Sequence, residues 1–429
     1  MAALATFHRQ SSGAGDSKRP RLMGDILFLT HRVPWPPNRG DKIRSHHILR
    51  KLMEFAPVHL ACFADDEAEA AETSDLQNGL TSCHIVRRTK PQWMAGIEAL
   101  VSGKSISVTS FGSKQLQNWI GGLINHGNVD CIFVFSGQMA QYIPDSFSGR
   151  VIMDFADVDS AKFESYGDEG YWPMSWINKR EGRLLKAFEY KTGARSDKSL
   201  FVSTAEAQLF QQRSGLSTAK IMALGNGIDL EFYRPEVVET TKLGGAGPLL
   251  VFTGQMDYRP NIEAVASFSK HVMPKILVHF PDTQFAIVGR APTEAVWGLD
   301  GKNGTQVVGA VDDIRTWLKA ADVVVAPLRI ARGIQNKILE AMAMGKPVVA
   351  SGDAAEGIDA IHGQHFLVAE NIQQEASLIC NLLEDPTEAD WLGSNAAKLV
   401  RDQYSWEHQL FELPGICGLD DHQFAEAAE

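Results

Sequence analysis

Residues 323–350 read VVVAPLRIARGIQNKILEAMAMGKPVVA, and the reading of this stretch decides the fold. The apolar run Val323–Ala326 suits a short buried strand, Gln335–Met344 a helix and Pro347–Ala350 a second strand, with Gly345 ending the helix. A strand, a helix and a strand in such close order make one unit of a parallel α/β sheet. The turn also carries chemistry. Gly333 lets the backbone approach a ligand closely, and a helix starting near Gln335 turns the N–H groups of Ile334, Gln335 and Asn336 toward that spot, with its positive dipole end. Lys337 adds a full charge within the first turn, where a cation opposes the dipole unless an anion neutralises both. One turn on, Glu340 offers a carboxylate that can accept two hydrogen bonds from vicinal hydroxyls, as on a ribose. Taken singly, each residue has a plainer reading: a turn glycine, and a lysine and glutamate paired at i,i+3 on a solvated face.

The alternation continues on either side. Pro235–Pro248 lacks apolar periodicity and reads as a boundary. After it come strand Leu249–Thr253, helix Asn261–His271, strand Thr283–Val288 and helix Asp312–Ala320, and beyond the quoted segment lie helices over 371–384 and 387–403. Upstream, strand Asp25–Thr30, a loop His31–Gly40 with three prolines, and an amphipathic helix Asp41–Glu54 capped by Asp41 form a first unit. Further strands are read at Val58–Phe63, Ser82–Val86, Cys131–Phe135, Arg150–Phe155 and Ser199–Ser203, with a helix at Thr204–Ser214. The expectation is an α/β protein of two Rossmann-like domains facing each other across a cleft, spanning 23–235 and 236–395, after a solvated tail over 1–22. Ligands in such sheets sit beyond the carboxyl ends of the strands.

At 429 residues the chain is long enough for two such cores. Its 44% apolar and 22% charged residues exclude disorder as the main state. The 41 Lys and Arg against 52 Asp and Glu leave a net charge of −11, so there is no basic field for a polyphosphate backbone and nucleic acid is not an expected partner. Cys62, Cys83, Cys131, Cys380 and Cys417 are widely spaced and form no CxxC pair, which points to a reducing compartment and to neither a disulfide framework nor a zinc site. Adjacent His46 and His47 point in different directions on a helix, so no metal site is expected there either. No apolar run approaches the roughly 20 residues a membrane helix needs, and residues 1–22 lack the apolar centre of a signal peptide. A cytoplasmic location is expected.

The run Leu339-Glu340-Ala341-Met342-Ala343-Met344-Gly345-Lys346-Pro347-Val348-Val349, after its Gly-containing turn, resembles the LEAMA-x-G-x-PVV signature of the retaining family-four (group 1) glycosyltransferases of the two-Rossmann GT-B fold. Asn226-Gly227-Ile228-Asp229 with Phe232 and Pro235 resembles the family's interdomain junction. Phe252-Thr253-Gly254-Gln255-Met256 resembles the first strand and turn of its donor-binding domain, and Ile287-Val288-Gly289 the end of the second strand. Gly309–Ile314 with Ala320-Ala321-Asp322-Val323, and Tyr404-Ser405-Trp406 near the C-terminal helices, are further matches. The likeness is good from about residue 205 to 410 and weaker before it. It implies that 396–429 form a C-terminal helix and tail returning to the N-terminal domain.

The resemblance implies that Glu340 binds the nucleotide ribose. The family's first glutamate, which contacts the transferred sugar, would stand eight positions earlier, but Arg332 occupies that place. Arg332 is therefore read as a ligand of the diphosphate or of an acidic sugar. The family's basic pair after the first donor-domain strand is incomplete: Arg259 is present, Pro260-Asn261 replaces the lysine region, and Lys337 is expected to supply the missing charge. Pro36–Arg44 resembles the family's first loop, where Gly40 lets a helix N-terminus face the donor diphosphate, alongside Gly254 from the donor domain. Asp154, Asp157 and Asp159 follow a strand and are candidates for acceptor hydroxyls, with caps and turns as their plainer reading.

The implied reaction is transfer of a hexose-type sugar from a nucleotide diphosphate sugar to an acceptor hydroxyl, with retention and without a required metal or resident cofactor. Helix N–H groups, Lys337 and Arg259 would stabilise the leaving diphosphate. The combination of HRVPWPPNRGDKIRSHH with FTGQMDYRPN resembles a bacterial subgroup associated with exopolysaccharide and exosortase loci, which implies a role in cell-envelope glycan synthesis. A glycan or lipid-linked acceptor fits, with peripheral contact at the inner face of the plasma membrane left open. The rivals are another GT-B nucleotide-sugar enzyme such as an epimerase, which needs acid/base carboxylates, and a non-catalytic sugar-nucleotide-binding subunit. A nicotinamide dehydrogenase is disfavoured because no GxGxxG follows Leu29 or Val251.

Overall fold

The computed structural model describes residues 24–37, 39–66, 69, 79–169, 171–238, 247–329 and 334–419. The tail expected over 1–22 and the site candidates Arg332 and Gly333 lie outside these residues. The chain forms two compact units, the first made of residues up to Gly225 together with those from Leu410 onward, the second of Asn226–Gln409.

Seven strands build the first unit: β1 (Asp25–Thr30), β2 (Val58–Ala64), β3 (Ser82–Arg87), β4 (Val129–Phe135), β5 (Arg150–Ala156), β6 (Lys198–Phe201) and β7 (Ile221–Ala223). Their order is β3-β2-β1-β4-β5-β6-β7, all parallel. The first six follow the 3-2-1-4-5-6 order of a dinucleotide-binding sheet. β1 is buried from Ile26 through Thr30, which explains its unbroken apolar run: helices cover both faces of a parallel sheet. Helix α1 (Gly40–Phe55) follows β1 directly. Its N-cap is Arg39 rather than Asp41, because Asp41 lies inside the first turn, where its carboxylate pairs with Arg32, Arg39 and His31. Two further helices belong to this unit, α2 (Gln92–Ser102) after β3 and α3 (Met174–Arg195) between β5 and β6.

The second unit repeats the pattern with β8 (Leu249–Thr253), β9 (Gln284–Val288), β10 (Thr305–Gly309), β11 (Val323–Ala326), β12 (Val348–Ser351) and β13 (Leu367–Ala369). The order β10-β9-β8-β11-β12-β13 is again 3-2-1-4-5-6, all parallel. Helix α4 (Arg259–Ser267) follows β8, and α5 (Asn336–Ala343) joins β11 to β12. The helix expected over Asn261–His271 is interrupted: a π turn spans Phe268–Val272, with Met273 N bonded to Phe268 O, before the chain continues as helix to His279. Pro274 lacks the N–H that a regular continuation would use. Helix α6 (Pro386–Gln403) packs on α5 so closely that a Cβ on Gly393 would stand 2.1 Å from Gly345 O.

The division at Gly225/Asn226 departs from the boundary read after 235, and the junction motif explains why. Ile228 N donates to Tyr404 O at 2.6 Å, and a Cβ on Gly227 would stand 2.5 Å from the Trp406 backbone, so Asn226–Asp229 packs with the C-terminal turn of its own unit. The stretch read as a separate segment from 396 is likewise divided. Residues 396–409 stay with the second unit, and those from 410 complete the first, where Arg150 Nε at the start of β5 donates to Ile416 O at 2.7 Å.

Candidate functional site

In the second unit the loops after β8 and β9 meet almost without space. Gly254 N donates to Val288 O at 3.0 Å, and Gly289 N to Gly309 O at 2.8 Å. A Cβ on Gly289 would lie 1.6 Å from Gly254 O, so only glycine fits. Lys337, in the first turn of α5, reaches this turn. Its Nζ lies 3.1 Å from where a Gly254 Cβ would be, donates to Asn261 Oδ1 at 2.7 Å, and sits 4.3 Å from the centre of the Phe252 ring. Burial pushes the Lys337 ammonium down to about 8, with Glu340 opposing the shift. Among the described residues the half-buried amine, held near a glycine turn, has no ion-pair partner to offset its desolvation fully.

In the sequence Asn261 stands only as the replacement of a family lysine; the structure gives it a task of its own. Its amide N–H donates to Gln255 O at 2.8 Å while its carbonyl oxygen accepts a hydrogen bond from Lys337 Nζ, so it links the Gly254–Gln255 turn to the lysine. Glu340 lies one turn along α5, half-buried, with the Tyr233 phenol as its electrostatic neighbour. Burial raises the Glu340 carboxyl, and Tyr233 and Lys337 oppose the rise. Burial and the neighbouring carboxylate push the Tyr233 phenol upward in turn. Sequence reasoning misses Tyr233, and the available signal is its place between Phe232 and Pro235 of the junction motif.

Helix α5 begins after Gln335, which provides no side-chain cap, and it buries Ile338, Leu339, Ala341 and Met342. Ile334 packs on the edge of the core, and Asn336 is exposed. Arg259, at the start of α4, is 83% exposed at its side chain and donates to Glu263 Oε1 at 2.8 Å on the same helix. The structure thus brings Gly254, Lys337 and Glu340 into one neighbourhood through Asn261 and Tyr233, and directs Arg259 along the surface of α4.

The first unit treats its candidates differently. Gly40 opens α1, and the space where a Cβ would stand is free of other atoms to 4 Å. Asp154 is fully buried: Oδ2 accepts from Arg44 Nε at 2.9 Å and Oδ1 from Ala156 N at 3.0 Å. Its acceptor role is corrected on that ground, because one oxygen is bound to Arg44 of α1, the other to the end of β5, and the residue is fully buried. Asp157 is partly exposed and accepts from Lys162 Nζ at 2.6 Å, while Asp159 opens the following helix and lies near the same lysine. Among the described residues no group of three or more His, Cys, Asp and Glu is placed to hold a metal ion.

Residues 247–385 match the family model described as glycosyl transferases group 1, which covers β8 through the end of the helix before α6. The phosphatidyl-myo-inositol mannosyltransferase of Propionibacterium freudenreichii is 28% identical over 200 residues, covering 44% of this chain and 49% of that protein. The GDP-mannose-dependent monoacylated alpha-(1-6)-phosphatidylinositol monomannoside mannosyltransferase of Corynebacterium glutamicum is 26% identical over 239 residues, 51% of this chain and 61% of that one. The chain therefore spans less than two thirds of the length of these curated relatives. Among solved structures, sucrose-phosphate synthase from Thermosynechococcus elongatus superposes with a TM-score of 0.62 at 17% identity, covering 96% of this chain and all of that one. Anabaena HepE in complex with UDP gives 0.61 at 16% identity, covering 94% and 99%. These likenesses show the fold, the two Rossmann-like units of the GT-B class.

Proposed function

We propose that this chain is a glycosyltransferase that moves a hexose-type sugar from a nucleoside diphosphate sugar to an acceptor hydroxyl, with retention. The observation that carries the reading is Lys337 and Glu340 one turn apart at the start of α5, beside the tight Gly254–Gly289 turns: a charge for a diphosphate and a carboxylate for a ribose. The matched family model over 247–385 supports it. As the leaving diphosphate gains charge, Lys337 and the first N–H groups of α5 stabilise it, and no metal or resident cofactor enters this reading. Arg259 joins them only by leaving Glu263. Arg332 extends the anion site or reads the sugar. The curated relatives are named for mannosyl transfer to phosphatidylinositol compounds, which supports a lipid-linked or glycan acceptor and a setting in cell-envelope glycan synthesis on the cytoplasmic side.

A thermal-shift screen of nucleotide sugars identifies the donor, and calorimetry then compares Glu340→Gln with the parent chain. Loss of the charged ribose contact weakens donor binding by roughly 1.5–3 kcal/mol. Unchanged affinity removes Glu340 from the site. Turnover with membranes as acceptor, followed by product analysis, separates transfer from epimerisation and from binding alone.

A further inference from the structure

Where the ends of β11, β12 and β13 meet the helix Ile372–Glu384 and the π turn at Phe268, the second unit holds a cavity of about 460 Å³, a size typical of small-molecule sites. Phe268, Leu328 and Ile372 give it an apolar wall. It is distinct from the neighbourhood of Lys337: none of Gly254, Asn261, Lys337 and Glu340 lines it. The helix layers differ as well, since Ile372–Glu384 packs on the π turn and on the helix Met273–His279, whereas α5 packs on α6.

One group of the cavity wall lacks a counterpart in the protein. Glu375, in the first turn of its helix, is 7% exposed, and its Oε1 is buried without a hydrogen-bond partner among the described residues. A carboxylate so placed has given up its hydration and receives no donor in return. Burial pushes the carboxyl up to about 7, and Arg329 opposes the rise. Neighbouring polar groups are satisfied: Ser351 Oγ donates to Leu328 O and accepts from Ala354 N at 3.2 Å, and Asn371 Oδ1 accepts from Gln374 N at 3.0 Å. Exposed Asp353 and Glu370 also line the cavity, and Arg329 is the one cation among its described lining residues. Three carboxyl groups thus stand against one guanidinium beside an apolar wall.

We propose that this cavity binds a small aliphatic amine, with the ammonium bonded to Glu375 and the stem lying on Phe268, Leu328 and Ile372. The ammonium supplies both the missing donor and the missing charge, and the stem matches the apolar wall. A neutral alcohol would supply only the donor. A metal ion needs several converging oxygens, and among the described residues no group of three or more His, Cys, Asp and Glu is placed to hold one. The inference rests on the cavity and its unpartnered carboxylate and does not depend on the transferase reading.

The test is calorimetry and thermal shift of the full chain with putrescine and butylamine, against butyrate and butanediol as uncharged-donor and anionic controls. Both amines should bind and raise the unfolding temperature, and neither control should. Glu375→Gln keeps the shape of the side chain and should lower amine affinity about tenfold, while the variant alone unfolds no earlier than the parent because a buried charge is gone. Arg329→Gln, at an exposed position, removes a like charge and should raise amine affinity about threefold. Saturating uridine or guanosine diphosphate should leave the bound amine in place. Failure of both amines to bind at millimolar concentration overturns the proposal, as does parent-level binding by Glu375→Gln or weaker binding by Arg329→Gln. Controls that bind as well as the amines, or displacement by either nucleotide, would overturn it too, since the cavity would then be unselective or part of the nucleotide site.

Discussion

The Tyr233 phenol and the Glu340 carboxylate are electrostatic neighbours within the second unit, so the residue that the sequence marks for a ligand already has a polar group beside it. A ribose must share that space. Tyr233→Phe removes the hydroxyl and leaves the Glu340 carboxyl still higher, since the tyrosine opposes the effect of burial. Nucleoside diphosphate affinity should fall roughly fivefold, about 1 kcal/mol. Relative to the parent, the loss should be larger at pH 6 than at pH 8, because the acid form accepts fewer hydrogen bonds. Calorimetry at both pH values checks the sign.

Lys337 should make anion binding pH-dependent from the alkaline side. Burial holds its ammonium down to about 8, and a bound diphosphate favours the charged form. Affinity should therefore be level below pH 7 and decline through pH 8, approaching tenfold per unit above it. Calorimetry at pH 8.5 in buffers of different ionisation enthalpy should report proton uptake on binding. Lys337→Met should bind weakly with a flat profile over the same range.

Two glycines in the second unit should respond differently to alanine. At Gly289 the new Cβ would meet Gly254 O at 1.6 Å, so the two loops must part, at a cost of at least about 1–3 kcal/mol, and nucleotide binding should fall with the displaced turn. At Gly345, where φ is 68° and nothing lies within 4 Å of the added carbon, only the left-handed backbone opposes alanine, at roughly 1–2 kcal/mol. Urea unfolding and nucleotide calorimetry on both variants check the contrast.

Asp154→Ala should destabilise the chain rather than selectively impair an acceptor. Arg44 is 2% exposed and Asp154 wholly buried, so removing the carboxylate takes away the counter-charge that Asp154 gives a buried guanidinium, at about 3–5 kcal/mol. Urea unfolding measures the loss. Raised acceptor KM with unchanged stability would instead return Asp154 to the acceptor site.

The parts of the fold that are legible in the sequence are those buried on both faces. Asp25–Thr30, Leu249–Thr253 and Val323–Ala326 have the bounds their apolar runs predict, because a central parallel strand is a continuous apolar run. β7, β10 and β13 escape: all three are outer strands of their sheets, β7 and β13 with three residues each and β10 with only Val307 and Val308 as apolar side chains, too little to show any period. Lys337 and Glu340 can be singled out because their spacing on one helix is local. Their partners cannot: Asn261 is 76 residues from Lys337, and Arg44 is 110 residues from Asp154. Contacts at such separation leave no trace in periodicity, which is why Asn261 reads as a lost lysine and Asp154 as a loop acid.

The return of the chain to the first unit after Gln409 has a consequence for biosynthesis. Ile416 supplies the carbonyl that Arg150 needs, and buried Cys417 lies against Cys131 of β4. On the ribosome, the first seven strands emerge well before this segment exists, and the whole second unit must be translated in between. The N-terminal unit therefore waits with an open seam beside β4 and β5, and the last step of its assembly is a ligation in space of two stretches that translation has kept apart.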